Sequence, residues 1–189
     1  MSKRVLFVTK DAGGFNVAKP VYDALDAADN DVRVIAEGVA AERWTDAGVK
    51  LAFRGSKNFK EHPFSFNVIS CLEEICPDVV VATMGAPINL EDACATAANQ
   101  LDIPLVIIED VWASFTRTSA KPDLVFTLDE FGRKILTEDE RTKDSRILVS
   151  GNPAVQHLVI PDDLRERMEE LRFRYGRLVL FCGEGEGSA

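Results

Sequence analysis

Short, unbroken apolar runs return along this chain: RVLFVT at 4–9, DVRVIA at 31–36, VKLAF at 49–53, DVVVAT at 78–83, PLVIIE at 104–109, DLVFTL at 123–128 and RILVSG at 146–151. Each is too short for a buried helix. Most lack the polar alternation of a strand with one wet face, so they read as strands covered on both sides. Between them the spacing predicts helices over 17–28, with Pro20 in the first turn, over 39–47, within 54–75, from Asn89 to about 101, and over 129–137. Asn89 followed by Asp92 matches a capping box. Leu90, Cys94, Ala97, Ala98 and Leu101 then share one stripe whose small side chains allow close approach to a sheet. Strands alternating with helices build a parallel sheet, because each parallel neighbour needs a right-handed crossover. The expectation is an α/β fold of three layers around a mostly parallel sheet of about seven strands.

Of 189 residues, 46% are hydrophobic and 28% charged, a composition that supports a globular core. The net charge of −9, with no basic patch, argues against nucleic acid as a partner. No apolar run approaches the roughly 20 residues of a membrane helix. MSKRVLFVTK lacks the apolar length and cleavage site of a signal peptide, so a cytoplasmic protein is expected. Cys71, Cys76, Cys94 and Cys182 show no Cys-x-x-Cys spacing, and His62 and His157 are the two histidines. No metal site is expected, and Cys94 and Cys182 read as small core residues.

The pattern changes at GNPAVQHLVIPDD (151–163), which reads as a linker. The next helix carries Leu164, Met168, Leu171 and Tyr175 on one face, with Arg165 and Glu169 at i,i+4. It leads to a strand at 177–182 and a turn with Gly183, Gly185 and Gly187. A strand followed by a glycine turn is how a new nucleotide-binding-type unit opens. The expected organisation is a first domain at 1–152, a linker and crossover helix at 153–176, and at 177–189 the start of a second domain otherwise missing from the chain. The apolar run from Leu178 to Phe181 would then fold back or pair with a second copy in a homodimer.

Ligands of open parallel sheets gather outside the carboxyl ends of the strands. Asp11, Gly13, Gly14 and Asn16 follow the first strand, Glu37 the second and Gly85 the fourth. Glu109, Asp110 and Trp112 follow the fifth, Thr127 and Asp129 the sixth, Gly151 and Asn152 the seventh. Asp11, Glu109 and Asp110 are the candidate catalytic carboxylates, and of the adjacent pair at most one readily enters a cleft. Gly13, Gly14, Asn16, Glu37, Gly85, Trp112, Thr127 and Asn152 are the candidate binding residues. Plainer roles stand beside these: a tight turn for the glycines, a turn former or helix-terminus charge for Asp11, a helix cap for Asp129, and packing for Trp112 and Phe115 in place of an aromatic platform. Residues 53–66 mix Arg54, Lys57 and Lys60 with Phe59, Phe64 and Phe66. They read as a lid or membrane-surface patch, or as a loop tucked on the core.

VLFVTKDAGGFNVAKPVYDAL, PDVVVATMGAPINLEDACATAANQLDIPLVIIED and DLVFTLDEFGRKILTEDERTKDSRILVSGNPAVQHL together resemble the N-terminal half of GT-B glycosyltransferases and UDP-N-acetylglucosamine 2-epimerases. The similarity runs over most of 4–182. Its most specific element is the closing order: a last strand, Gly151-Asn152-Pro153, a linker helix and a fresh strand ending in glycines. The resemblance implies a Rossmann-like acceptor-side domain, inactive alone. The missing C-terminal domain would bind the nucleotide-sugar donor across a cleft, with no cofactor in this chain. A sugar or lipid-linked acceptor is the implied partner, with peripheral membrane contact. Two departures stand out. The loop 11–16 has no histidine, and the later acid position holds Gln156. An epimerase half using Asp11, Glu37 and Asp110 is the alternative. A non-catalytic binding domain is a third, in which Asp11→Asn would leave ligand affinity intact.

Overall fold

The computed structural model describes residues 2–54, 67–85, 90–155 and 162–176. Seven strands form one sheet: β1 (Arg4–Thr9), β2 (Asp31–Ala36), β3 (Phe53–Arg54), β4 (Val79–Ala82), β5 (Leu105–Ile108), β6 (Leu124–Thr127) and β7 (Arg146–Val149). Their order is β3-β2-β1-β4-β5-β6-β7, and every pairing is parallel. The helices are α1 (Ala12–Asp26), α2 (Gly38–Asp46), α3 (Val68–Ile75), α4 (Leu90–Gln100), α5 (Glu130–Thr137) and α6 (Asp162–Tyr175). This is the doubly wound, Rossmann-like architecture that the alternation of runs predicts. The chain leaves β1 toward β2 and returns to β4 on β1's other side, so the switch point lies between β1 and β4. Ligands of such sheets bind outside the strand ends there.

Strand periodicity sorts the core into two layers. Leu6 and Val8 of β1 face a cluster with Leu72 of α3 and Leu90, Cys94, Ala95 and Ala98 of α4. Val5 and Phe7 face the opposite cluster, with Val17 and Ala18 of α1 and Trp44 of α2. Trp44 is fully buried; its indole N–H donates to Thr9 Oγ1 at 2.8 Å, and its ring lies 5.0 Å from both Phe15 and Tyr22. The buried polar end is thereby satisfied, which a buried indole requires. After β7 the chain passes Gly151, with φ of +74°, into a 3-10 turn (Pro153–Val155) that packs on α1.

The structure moves several expected boundaries. α1 begins at Ala12, so Gly13 and Gly14 belong to its first turn and Pro20 lies inside it. Glycine is a poor helix former, but Asp11 caps this helix and the two glycines stand where side chains cannot. Among the described residues β3 is Phe53–Arg54, and just before it the Ala52 N–H donates to the Val34 carbonyl at 2.8 Å. Asp92 Oδ1 accepts from Thr118 Oγ1 at 2.6 Å and Ser119 N at 3.2 Å, tying α4 to the segment after β5, while the expected capping box turns on Asn89, outside the described residues. Residues Met1–Gln156 form one compact unit, and His157–Ala189 a second that contains α6. Asn89, Gln156, Cys182, the strand at 177–182 and nearly all of 53–66 lie outside the described residues. Among those described, no helix is long and apolar enough to cross a membrane.

Candidate functional site: a carboxyl cluster at the switch point

Three carboxyl groups converge beyond the ends of β1, β4 and β5. Asp11 is the N-cap of α1, and its Oδ1 accepts from Gly14 N at 2.7 Å. Asp110 is the second residue past β5. A methyl group on Gly13 would overlap Asp110 Oδ2 while standing 3.5 Å from Asp11 Oδ1. The third is Glu91, in the first turn of α4 and 1% exposed. Its Oε1 accepts from Thr83 Oγ1 at 2.5 Å, and its Oε2 from Gly85 N at 2.6 Å. A methyl group on Gly85 would stand 2.6 Å from Asp11 Oδ2 and 2.9 Å from Glu91 Oε2. One on Gly14 would overlap Thr83 Oγ1. These glycines therefore make room for the protein's own polar side chains, and the Gly14 amide is already engaged.

Burial is the main force on these acids. It raises the Glu91 pKa to about 8, with the Asp11 charge adding to the rise and the Thr83 and Gly85 hydrogen bonds opposing it. It also raises Asp110, again reinforced by Asp11 and opposed by hydrogen bonds from the Asp110 and Val111 backbone and by the Arg117 charge. Asp110 Oδ1 is buried without a hydrogen-bond partner among the described residues. Arg117 is anchored near by, donating to the Met84 carbonyl at 2.6 Å. An acceptor atom buried beside a second carboxylate, at a ligand-binding edge, is open to a donor such as a sugar hydroxyl.

The adjacent Glu109 turns the other way, as neighbours at a strand end do. It is buried; its Oε2 accepts from Thr127 Oγ1 at 2.7 Å and its Oε1 from Phe115 N at 3.3 Å. Burial raises its pKa. Glu109 and Thr127 hold each other, and neither is solvent-facing. Phe115 is fully buried under the Arg141 guanidinium, 4.6 Å from its ring centre, so it is core and not a platform. Trp112 is 54% exposed; its N–H donates to Asp129 Oδ2 at 3.1 Å, and its ring meets Phe131 edge-on at 6.1 Å. Asp129 also caps α5 through Gly132 N at 2.9 Å.

Glu37 is buried, raised to about 6 by burial, and takes a hydrogen bond from the Leu90 backbone. Its Oε1 has no described partner. Asn16 is exposed and accepts from Arg43 at 2.8 Å, while Asn152 accepts from Ala154 N at 2.9 Å and shapes its own turn. The structure thus brings together Asp11, Asp110, Gly13, Gly14 and Gly85, and sets Asn16 and Asn152 to local tasks. Glu91 escaped the sequence reading, although the signal was there: positions 91, 94, 95 and 98 share a helical face, and a carboxylate on an apolar stripe is unusual.

Two open concavities, of about 460 and 510 Å³, lie at the amino ends of strands, one lined by Arg33, Lys50 and Cys71, the other by Lys3, Arg4 and Asp78. Surface ion pairs, Lys3–Asp78 and Arg4–Asp31, border the second. Neither is at the carboxyl edge, and in this architecture position outweighs volume. Among the described residues no three or more His, Cys, Asp or Glu side chains are placed to hold one metal ion together.

No family model and no curated protein sequence matches the chain. Solved structures do. UDP-GlcNAc 2-epimerase from Neisseria meningitidis, solved bound to UDP-GlcNAc, superposes with a TM-score of 0.59 at 17% identity, over 89% of this chain and 54% of that one. The S. aureus MnaA–UDP structure gives 0.61 at 14% identity, over 85% and 47%. MurG from Acinetobacter baumannii gives 0.54 at 19% identity, over 68% and 42%. The chain spans about half the length of these proteins, and at such identities the likeness is one of fold.

Proposed function

The fold is that of one half of a GT-B-type protein, and we propose that this chain is the acceptor-side half of a nucleotide-sugar-dependent glycosyltransferase. The observation that carries the reading is Asp110: a carboxylate with a buried, unpartnered oxygen and a raised pKa, set beside Asp11 at the switch point. A raised carboxylate is a stronger base toward a sugar hydroxyl. In the transfer, Asp110 takes the acceptor hydroxyl proton as that oxygen bonds to the donor's anomeric carbon. The anomeric carbon–phosphate bond breaks, and its electron pair leaves with the nucleoside diphosphate. Asp11 orients the acceptor, and exposed Trp112 offers a face to a sugar ring. A rim carrying this much negative charge repels a diphosphate, so the donor's phosphates belong on a companion lobe. Chemistry then needs both lobes closed, and the chain alone turns nothing over.

The test is nucleoside-diphosphate release by the protein as encoded, including any segment that follows Ala189, with and without sugar or lipid-linked acceptors. Asp110→Asn is expected to lower kcat about 10²-fold or more with KM little changed. An unaffected kcat, or turnover by residues 1–189 alone, contradicts the reading.

One observation favours a second reading, a sugar-nucleotide epimerase half. Asp11 has Asp110 beside it at Gly13 and Glu91 beside it at Gly85, and carboxyls pushed to different pKa values suit paired acid and base roles. An epimerised nucleotide sugar formed without acceptor selects it over the transferase.

A further inference from the structure

Glu91 is a costly residue where it stands. Its companions on the buried face of α4 are Cys94, Ala95 and Ala98, and all three are at most 1% exposed. Both its oxygens are engaged, by the Thr83 hydroxyl and the Gly85 amide. Fastening the exit of β4 would be done as well by glutamine, which has nearly the same shape and no charge to bury. A glutamate adds one thing, an exchangeable proton. That proton sits next to Asp11: Asp11 Oδ2 and Glu91 Oε2 both lie within 3 Å of the place a Gly85 Cβ would occupy, at 2.6 and 2.9 Å. Gly14 closes the ring, since its amide holds Asp11 and its bare Cα lies against Thr83 Oγ1.

We propose that Glu91 is a positioning residue that works as a neutral acid: it carries a proton beside Asp11, and the rim stops working when that proton leaves. The proposal rests on the sugar-handling reading of the same rim. Other charged or titratable groups bear on Glu91 or on the neighbouring acids: Lys10 and Asp11 from the β1–α1 junction, Glu37 from the start of α2, Cys94 one turn along α4, Asp110 after β5 and Arg117 beyond it. Burial and then Asp11 favour the neutral form, whereas the Thr83 and Gly85 hydrogen bonds and Lys10 favour the charged one. Once Glu91 ionises, its negative charge adjoins Asp11. A hydroxyl oxygen gaining negative charge in transfer is then repelled.

Two measurements test this. In the chain itself, the Glu91 carboxyl carbon followed by NMR against pH should titrate with a midpoint near 8, and Asp11→Asn should lower that midpoint. A Glu91 midpoint near the ordinary 4.5 overturns the proposal. In the encoded protein, kcat/KM should fall about tenfold per pH unit above the midpoint, and Glu91→Gln should remove that alkaline limb whatever its plateau rate. A limb that survives the exchange also overturns it. If no nucleotide sugar turns over, the functional reading fails, and the NMR midpoint still decides whether Glu91 holds the proton. That measurement needs no variant of Glu91, so a misfolded Glu91→Gln does not stall it.

Discussion

Gly85 shows how tightly the rim is built. A methyl group there would stand 2.6 Å from Asp11 and 2.9 Å from Glu91, both held in place by hydrogen bonds. Gly85→Ala is expected to cost about 1–3 kcal/mol, the usual penalty of overpacking; chemical denaturation reads it, and an unchanged midpoint contradicts it. At this scale the sequence was half legible. Asp11 and Asp110 stood out because strand ends are where ligands go. Period-2 geometry limited Glu109 and Asp110 to one cleft-facing member, but only the positions of Thr127 and Phe115 show that it is Asp110. Glu91 stayed hidden because its role depends on Thr83 and Gly85, which neighbour it through packing and not through sequence spacing.

Helix starts follow the caps. Asp129 was legible as the cap of α5, and the structure adds a second task, since its other oxygen receives the Trp112 indole. Asp129→Ala should cost about 1 kcal/mol for the lost cap. It should also free the Trp112 ring, read as a red-shifted, more quenchable tryptophan fluorescence. Retained stability and an unmoved spectrum would remove both tasks. α1 was misjudged for a physical reason. A glycine pair reads as a loop, yet here the glycines are helical because Asp110 and Thr83 occupy the space their side chains would need. β3 was placed early because an apolar run marks burial, whereas pairing also needs a neighbour in register.

Across the whole molecule, the buried acids fix the direction of the pH response. Glu91 and Glu37 bind protons more tightly folded than unfolded, titrating near 8 and 6 instead of 4.5. Their contribution is full below about pH 4.5 and is lost as pH rises through 6 to 8. Asp31, Asp78 and Asp139 are lowered, chiefly by hydrogen bonds from Arg33, from the Arg4 backbone and from Arg141 respectively, and they act oppositely, losing stability as pH falls through the acid range. Stability should therefore peak near pH 5, with Tm falling on the order of 5–10 °C by pH 9. A Tm flat or rising over that span contradicts the burial of these groups as acids. The architecture was the most legible level, because seven apolar runs separated by helical spacing leave few alternatives to a doubly wound sheet.

In the proposed function, sugar is handled at the carboxyl edge, between the ends of β1, β4 and β5. Amide chemical shifts of the isotope-labelled chain, titrated with an acceptor sugar and with UDP-GlcNAc, test it directly. Perturbations are expected to gather at Ala12 to Gly14, Thr83 to Gly85 and Asp110 to Trp112. Perturbations confined to the amino-end concavities around Lys50 or Arg4, or a silent rim at millimolar sugar, would contradict it.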